Sequence, residues 1–190
     1  MLEGAGLTNP RKRSMLATKA PAARSLLAAR LALVCGHPAC AQLTTGVRQR
    51  VAASAAHCEV CAGSNNRRAA RVMAAACAAA GLARLLIVGG TTRLHGELGA
   101  LLNGSAIELR CIDGAERTPT KKDAVSDLAW AHLLVIWAST PLPHKVSVSY
   151  ADERPPSLRH VTVARRGLEA LCMEVTTLAT GRARSQRARA

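Results

Sequence analysis

The sequence predicts a three-layer α/β domain with about four parallel strands and helices on both faces. Three observations carry this. Strand-like and helix-like segments alternate four times between Ser64 and Leu178. The strand segments are unbroken apolar runs, RLLIVGG at 84–90 and HLLVIW at 132–137 among them, as in parallel sheets covered on both sides. The chain has 190 residues, 49% of them hydrophobic, which suits one domain of ordinary size with appendages.

The elements follow in order. Ser64 is placed to cap a helix running to Ala80, with Val72, Met73, Ala76, Cys77 and Ala80 at helical spacing and Gly81 as its stop. Leu85–Val88 is the first buried strand, ending in Gly89-Gly90. Thr91 or Thr92 opens a second helix carrying Leu94, Leu98, Leu101 and Leu102. Ile107–Ile112 is the second strand, stopped by Asp113-Gly114. Thr120 and Asp123 form a near capping box for a helix ending about Trp130. The third strand is His132–Trp137, and a short helix follows from about His144. LRHVTVA at 158–164 is the fourth strand, and a helix over Arg165–Leu178 closes the domain. Right-handed crossovers leave few topologies, and the sheet order 2-1-3-4 is the expected one. A ligand in such a sheet sits beyond the carboxyl ends of the strands, where the order reverses.

Composition narrows the function classes. Phe is absent and aromatic residues are 2% of the chain. With 38 alanines, the core is built largely from small side chains. No apolar run of 18 residues lacks a charge, so no membrane span is expected. The net charge is +14, and the two ends carry most of it. Eight basic residues and no acid lie between Gly4 and Cys58, and Arg182, Arg184, Arg187 and Arg189 close the chain. Residues 1–57 read as a basic, poorly ordered extension, 58–180 as the α/β domain and 181–190 as a basic tail. Such tails attract nucleic acid non-specifically through counterion release, and they are equally what a solvated, compositionally biased terminus looks like. Arg24 and Arg30 interrupt the apolar stretch that a secretory signal would need. Pro21–Val34 reads as a weakly amphipathic helix. Seven cysteines, odd in number and scattered, argue against a disulfide framework and for a reducing, cytoplasmic location.

Four loops converge at the carboxyl edge. Gly89, Gly90, Thr91 and Thr92 follow the first strand, where glycines admit a ligand to the backbone and the next helix offers free N–H groups. Asp113 ends the second strand, where dinucleotide-binding folds place a ribose-binding carboxylate. Ser139 and Thr140 add hydroxyls, and Lys145, Arg165 and Arg166 add positive charge. GGTTRLHG departs from the G-x-G-x-x-G fingerprint, so a tight turn without ligand explains the glycines as well, and Asp113-Gly114 also suits a plain turn. His144, Lys145 and Asp113 are the candidates for proton transfer, and no nucleophile stands out.

Cys58-Glu59-Val60-Cys61-Ala62-Gly63-Ser64-Asn65-Asn66-Arg67-Arg68, then RLLIVGG, WAHLLVIWAST, HKVS and VTVARRGLEAL, resemble a group of uncharacterised bacterial proteins with a small Rossmann-like domain of unknown function preceded by a C-x-x-C motif. The resemblance spans roughly His57 to Val175. It implies the fold and a bacterial source, and no activity.

Cys58 and Cys61 have zinc-knuckle spacing, and Cys35 and Cys40 supply a second pair, C-x4-C. Together they make the four thiolates a structural zinc requires. A redox C-x-x-C at a helix start and unliganded thiols are the competing accounts. Cys77, Cys111 and Cys172 fall on apolar faces and read as small core residues. Three functions remain in view. They are a binding module for a nucleotide or other phosphorylated small molecule, an enzyme acting on a nucleotide at the same edge, and a nucleic-acid-associated protein using basic tails and a zinc knuckle.

Overall fold

A computed structural model describes residues 1–9, 11, 14–44, 46–113, 119–138 and 144–181, the side chains at 144, 145 and 147 excepted. It divides into two compact units, Met1–Gly63 and from Ser64 onward.

The second unit is the expected α/β domain. Its strands are β3 (Arg84–Gly89), β4 (Glu108–Ile112), β5 (Leu133–Trp137) and β6 (Arg159–Val163). All pair in parallel, in the order β4-β3-β5-β6, which is 2-1-3-4 among the strands of this unit. Side chains alternate across the pleat. Leu85, Ile87, Leu133 and Val135 therefore face one layer, and Leu86, Val88 and Leu134 the other. The first layer holds α3 (Asn65–Ala79), α4 (Thr92–Leu102) and α7 (Leu168–Ala179), contributing Met73, Cys77, Leu98, Leu171 and Val175 to its core. The second layer holds α5 (Lys121–Trp130) and α6 (His144–Asp152), with Leu128, Val146 and Tyr150 buried.

The helix starts follow the sequence closely. Ser64 accepts from the Arg67 N–H at α3, and Thr91 accepts from Leu94 N at α4. Thr120 and Asp123 form the reciprocal capping box at α5. The last helix begins at Leu168, after Gly167 in the left-handed region at φ 92°, three residues later than expected. A part-buried network locks β4 to the second layer. The Asp127 carboxylate accepts from Arg110 Nη1 and from the Tyr150 hydroxyl, both at 2.7 Å. The Arg110 guanidinium also lies 4.4 Å above the Trp130 ring, a favourable cation–π distance.

The first unit departs from the expected extension. The helix foreseen over Pro21–Val34 stops at Arg30, giving α1 (Ala20–Arg30). Leu31–Val34 is instead strand β1, which pairs in parallel with β2 (Gln49–Ala52). Between them lies the six-residue α2 (Pro38–Leu43). The unit boundary falls after Gly63, not at residue 57, so the C-x-x-C pair belongs with the amino-terminal elements. Its core is small: Ala32, Val34, Cys40, Cys58 and Cys61 form the buried cluster, and Ala23 of α1 is buried as well. Among the described residues, no helix is long and apolar enough to cross a membrane. The carboxyl-terminal tail at 182–190, with its four arginines, lies outside the described residues.

Candidate metal centre and the carboxyl edge of the sheet

Cys35, Cys40, Cys58 and Cys61 come together in the first unit, all four sulfurs within 4.8 Å of one another. A tetrahedron of metal–sulfur bonds of about 2.3 Å has sulfur–sulfur edges of about 3.8 Å. Cys35 Sγ and Cys61 Sγ are 3.9 Å apart, so the set needs little adjustment to close on a metal ion. Each sulfur arrives on a different local device. Cys35 follows β1 and Cys40 sits in α2. Glu59 holds the Cys58–Cys61 turn against the free side of β1: its N–H donates to Leu33 O, and its carboxylate accepts from Leu33 N. Arg48 braces the same carboxylate. The Leu33 N–H first and the Arg48 guanidinium second hold the Glu59 carboxyl below the usual range.

The turn has the hydrogen bonding of a metal knuckle. Burial pushes the Cys58 thiol up, but the N–H groups of Cys35, Cys61 and Val60 aimed at its sulfur outweigh that, leaving it lowered to about 6. Cys40 is pushed up to about 12 by burial and by its neighbouring thiols. A shared set of one readily formed thiolate and one reluctant thiol is what a cation would resolve, since only thiolates ligate. The two histidines nearby are committed elsewhere: His37 Nδ1 accepts from Ala39 N, and His57 Nδ1 contacts Ser54 Oγ at 2.8 Å. Among the described residues the clustered donor set is four sulfurs. By contrast burial alone pushes Cys77 and Cys111 to about 11, and burial foremost takes Cys172 to about 12, which keeps these thiols protonated and unreactive.

The chain also strains its backbone here. Ala62, directly after the knuckle, has φ 45°, and is the one non-glycine residue with positive φ among those described. A left-handed alanine costs about 1–2 kcal/mol, and a glycine gives back about 0.5–1 kcal/mol in unfolded-chain entropy. Ala62→Gly is therefore expected to stabilise the unit by about 0.5 kcal/mol. Equilibrium denaturation checks this, and a loss of stability would refute the strain.

At the sheet's carboxyl edge the predicted residues have specific local partners. Asp113, expected to face a ribose, instead turns onto the start of α4. Its Oδ2 accepts from Thr92 N at 3.1 Å and from Thr92 Oγ1 at 2.9 Å. The carboxylate thus takes one of the helix N–H groups that a phosphate would use, and its charge favours the positive end of the helix. Removing such a cap typically costs about 0.5–2 kcal/mol. Asp113→Ala is expected to lose about 1 kcal/mol in urea unfolding, and an unchanged midpoint would show the contact to be worth nothing.

Gly89 and Gly90 both have positive φ, 98° and 86°. The sequence reading makes Gly90 small so that a ligand can approach. The reason visible here is different: a Cβ there would lie 2.5 Å from Trp137 Cε3 and 3.2 Å from His95 Nε2. Trp137 is fully buried, and its indole N–H donates to Arg165 O. His95 donates from Nε2 to Gly89 O at 2.8 Å. Sequence reasoning missed both side chains. Trp137 passes as the last apolar residue of a strand, and nothing in the spacing ties His95 to the loop before it. Arg165 and Arg166 are exposed just after β6. Gly114, Ser139 and Thr140 lie outside the described residues, as do the side chains of His144 and Lys145, whose backbone opens α6. Compared with family models, with curated proteins and with solved structures, the chain matches none.

Proposed function

We propose that this chain is a zinc-holding protein with a ligand-binding Rossmann-like domain. Cys35, Cys40, Cys58 and Cys61 close one Zn(II) in the amino-terminal unit. The observation that carries this is the convergence of four sulfurs, with no disulfide among them, within 4.8 Å. Four thiolates fill a tetrahedral shell, so the ion acts as a structural staple rather than as a Lewis acid with an open position. The seven free thiols suit a reducing compartment, the bacterial cytoplasm that the resemblance suggests.

The test is metal analysis of the protein purified from cells, with X-ray absorption at the zinc edge. One zinc per chain with four sulfurs at about 2.3 Å is expected. A protein that carries no zinc and takes none up, or one showing nitrogen ligands, overturns the reading.

The Rossmann-like domain takes a nucleotide or other phosphorylated small molecule at its carboxyl edge. The support is the start of α4 beside two positive-φ glycines and the exposed Arg165 and Arg166 across the edge. With Asp113 already on Thr92, the phosphate meets the remaining N–H groups of the α4 start and these two guanidinium groups. Calorimetric titration with mono- and dinucleotides tests it: Arg165→Ala with Arg166→Ala should weaken binding at least tenfold. No binding by the unaltered chain refutes it. Catalysis on that ligand would draw on His144, Lys145 and Asp113.

The basic ends add non-specific attraction to nucleic acid. A protein neutralising several phosphates loses orders of magnitude in affinity between 50 and 200 mM salt. Deleting residues 1–16 and 182–190 should abolish most of that binding, and salt-resistant binding after deletion would assign it to the folded units.

A further inference from the structure

We propose that Cys35 and Cys61 are the oxidisable pair of the metal centre, so that peroxide converts them to a disulfide and expels the zinc. The inference rests on the tetrathiolate reading and assigns a modification site within it. It differs from the usual expectation, which would pair Cys58 with Cys61 as a redox C-x-x-C.

Three features single out this pair. Cys35 Sγ and Cys61 Sγ are in contact at 3.9 Å, although the residues are 26 positions apart. Cys35 is also the ligand residue with the most exposed surface, at an intermediate level, whereas Cys40 and Cys61 are fully buried and Cys58 is 2% exposed; within the cluster all four ligands are enclosed. Cys40 lies inside α2 with no exposed surface.

The chemistry balances with hydrogen peroxide as the oxidant. The Cys35 thiolate attacks one peroxide oxygen. An S–O bond forms, the O–O bond breaks, and the departing hydroxide takes a proton to become water. The Cys61 thiolate then attacks the Cys35 sulfur. The S–S bond forms, the S–O bond breaks, and the second hydroxide leaves as water after taking another proton. Two thiolates lose two electrons, one peroxide becomes two waters, and the metal is left with two of its four ligands. A two-thiolate remnant no longer holds zinc against solvent.

The experiment uses the full chain loaded with zinc and treated with a few equivalents of hydrogen peroxide. Released zinc is read with a chromophoric chelator, and the linkage by mass spectrometry. Trypsin cuts after Arg30, Arg48, Arg50 and Arg67, so Cys35 and Cys40 share one peptide and Cys58 and Cys61 share another. Cleavage after Glu59 then separates Cys58 from Cys61. The expected result is one zinc released per disulfide, with Cys35 joined to Cys61 and a dimedone adduct trapped on Cys35 early in the reaction. A link within either tryptic peptide, a link through Cys58 or Cys40, or zinc retained through the treatment overturns the proposal. Cys35→Ser, whose centre keeps three sulfurs, should lose the linkage altogether. The linkage is also mapped on protein never loaded with metal. If that chain binds no zinc yet still forms Cys35–Cys61, the metal reading fails while the pair assignment stands.

Discussion

If Cys35, Cys40, Cys58 and Cys61 hold zinc as proposed, removing it is expected to unfold the amino-terminal unit and leave the Rossmann-like unit folded. The reason is the size of the two cores. The first unit buries two small alanines, Ala23 and Ala32, with Val34 and three cysteines, and its sheet is two strands of four residues each. A two-stranded sheet is marginal by itself, and a unit as small as Met1–Gly63 with so small a core commonly relies on a disulfide or a metal. Apparent free energies for structural zinc in small peptides are about 10–16 kcal/mol, more than such a core supplies. The second unit needs no such help. It buries Leu85, Leu86, Ile87, Val88, Leu133, Leu134, Val135 and Trp137 on the two central strands alone.

Amide exchange distinguishes the units residue by residue. In the presence of a chelator, the amides of 31–34 and 49–52 should lose protection by several orders of magnitude, while those of 85–88 and 133–137 keep theirs. Cys40→Ser or Cys61→Ser should act as the chelator does, and adding zinc should not restore full protection. Protected β1 and β2 amides in metal-free protein would show that the thiols pack well enough without an ion.

Gly90→Val is expected to be the most damaging single change in the Rossmann-like unit, at about 3–5 kcal/mol from backbone and packing together. Valine is β-branched and φ at this position is 86°, a region such residues essentially never adopt. Its Cβ would stand 2.5 Å and 2.9 Å from two atoms of the Trp137 ring. The ring has nowhere to go, because it is fully buried and tethered through its N–H to Arg165 O. Against a typical total of about 5–15 kcal/mol, a loss of this size leaves little margin.

Gly90→Ala should lose less, and combining it with Trp137→Leu should recover part of the loss, since the clash is with that ring. Urea unfolding of the four variants measures the coupling. Strict additivity would show that backbone conformation alone, and not the indole, excludes a side chain. Ligand affinity measured on the folded fraction separates this effect from any contact with a phosphate.

The α/β architecture was legible in the residues because each of its causes is local. The capping hydroxyls at Ser64, Thr91 and Thr120, the apolar runs and the stops at Gly81 and Asp113 lie within a few positions of the elements they bound. Handed crossovers left few strand orders, and the expected 2-1-3-4 is the one observed. The cysteine spacing likewise offered Cys35, Cys40, Cys58 and Cys61 as one candidate set beside redox and unliganded thiols, and the four do converge. Tertiary structure decided the remainder. LALV at 31–34 continues a helix-compatible pattern and becomes a strand only because QRVA at 49–52 pairs with it. Strand formation depends on a partner, whereas a helix satisfies its own backbone. Gly90 is glycine because of a tryptophan 47 positions later, and Asp113 meets Thr92 from 21 positions away. Those contacts arise where neighbouring strands end at the same edge, so no local pattern announces them.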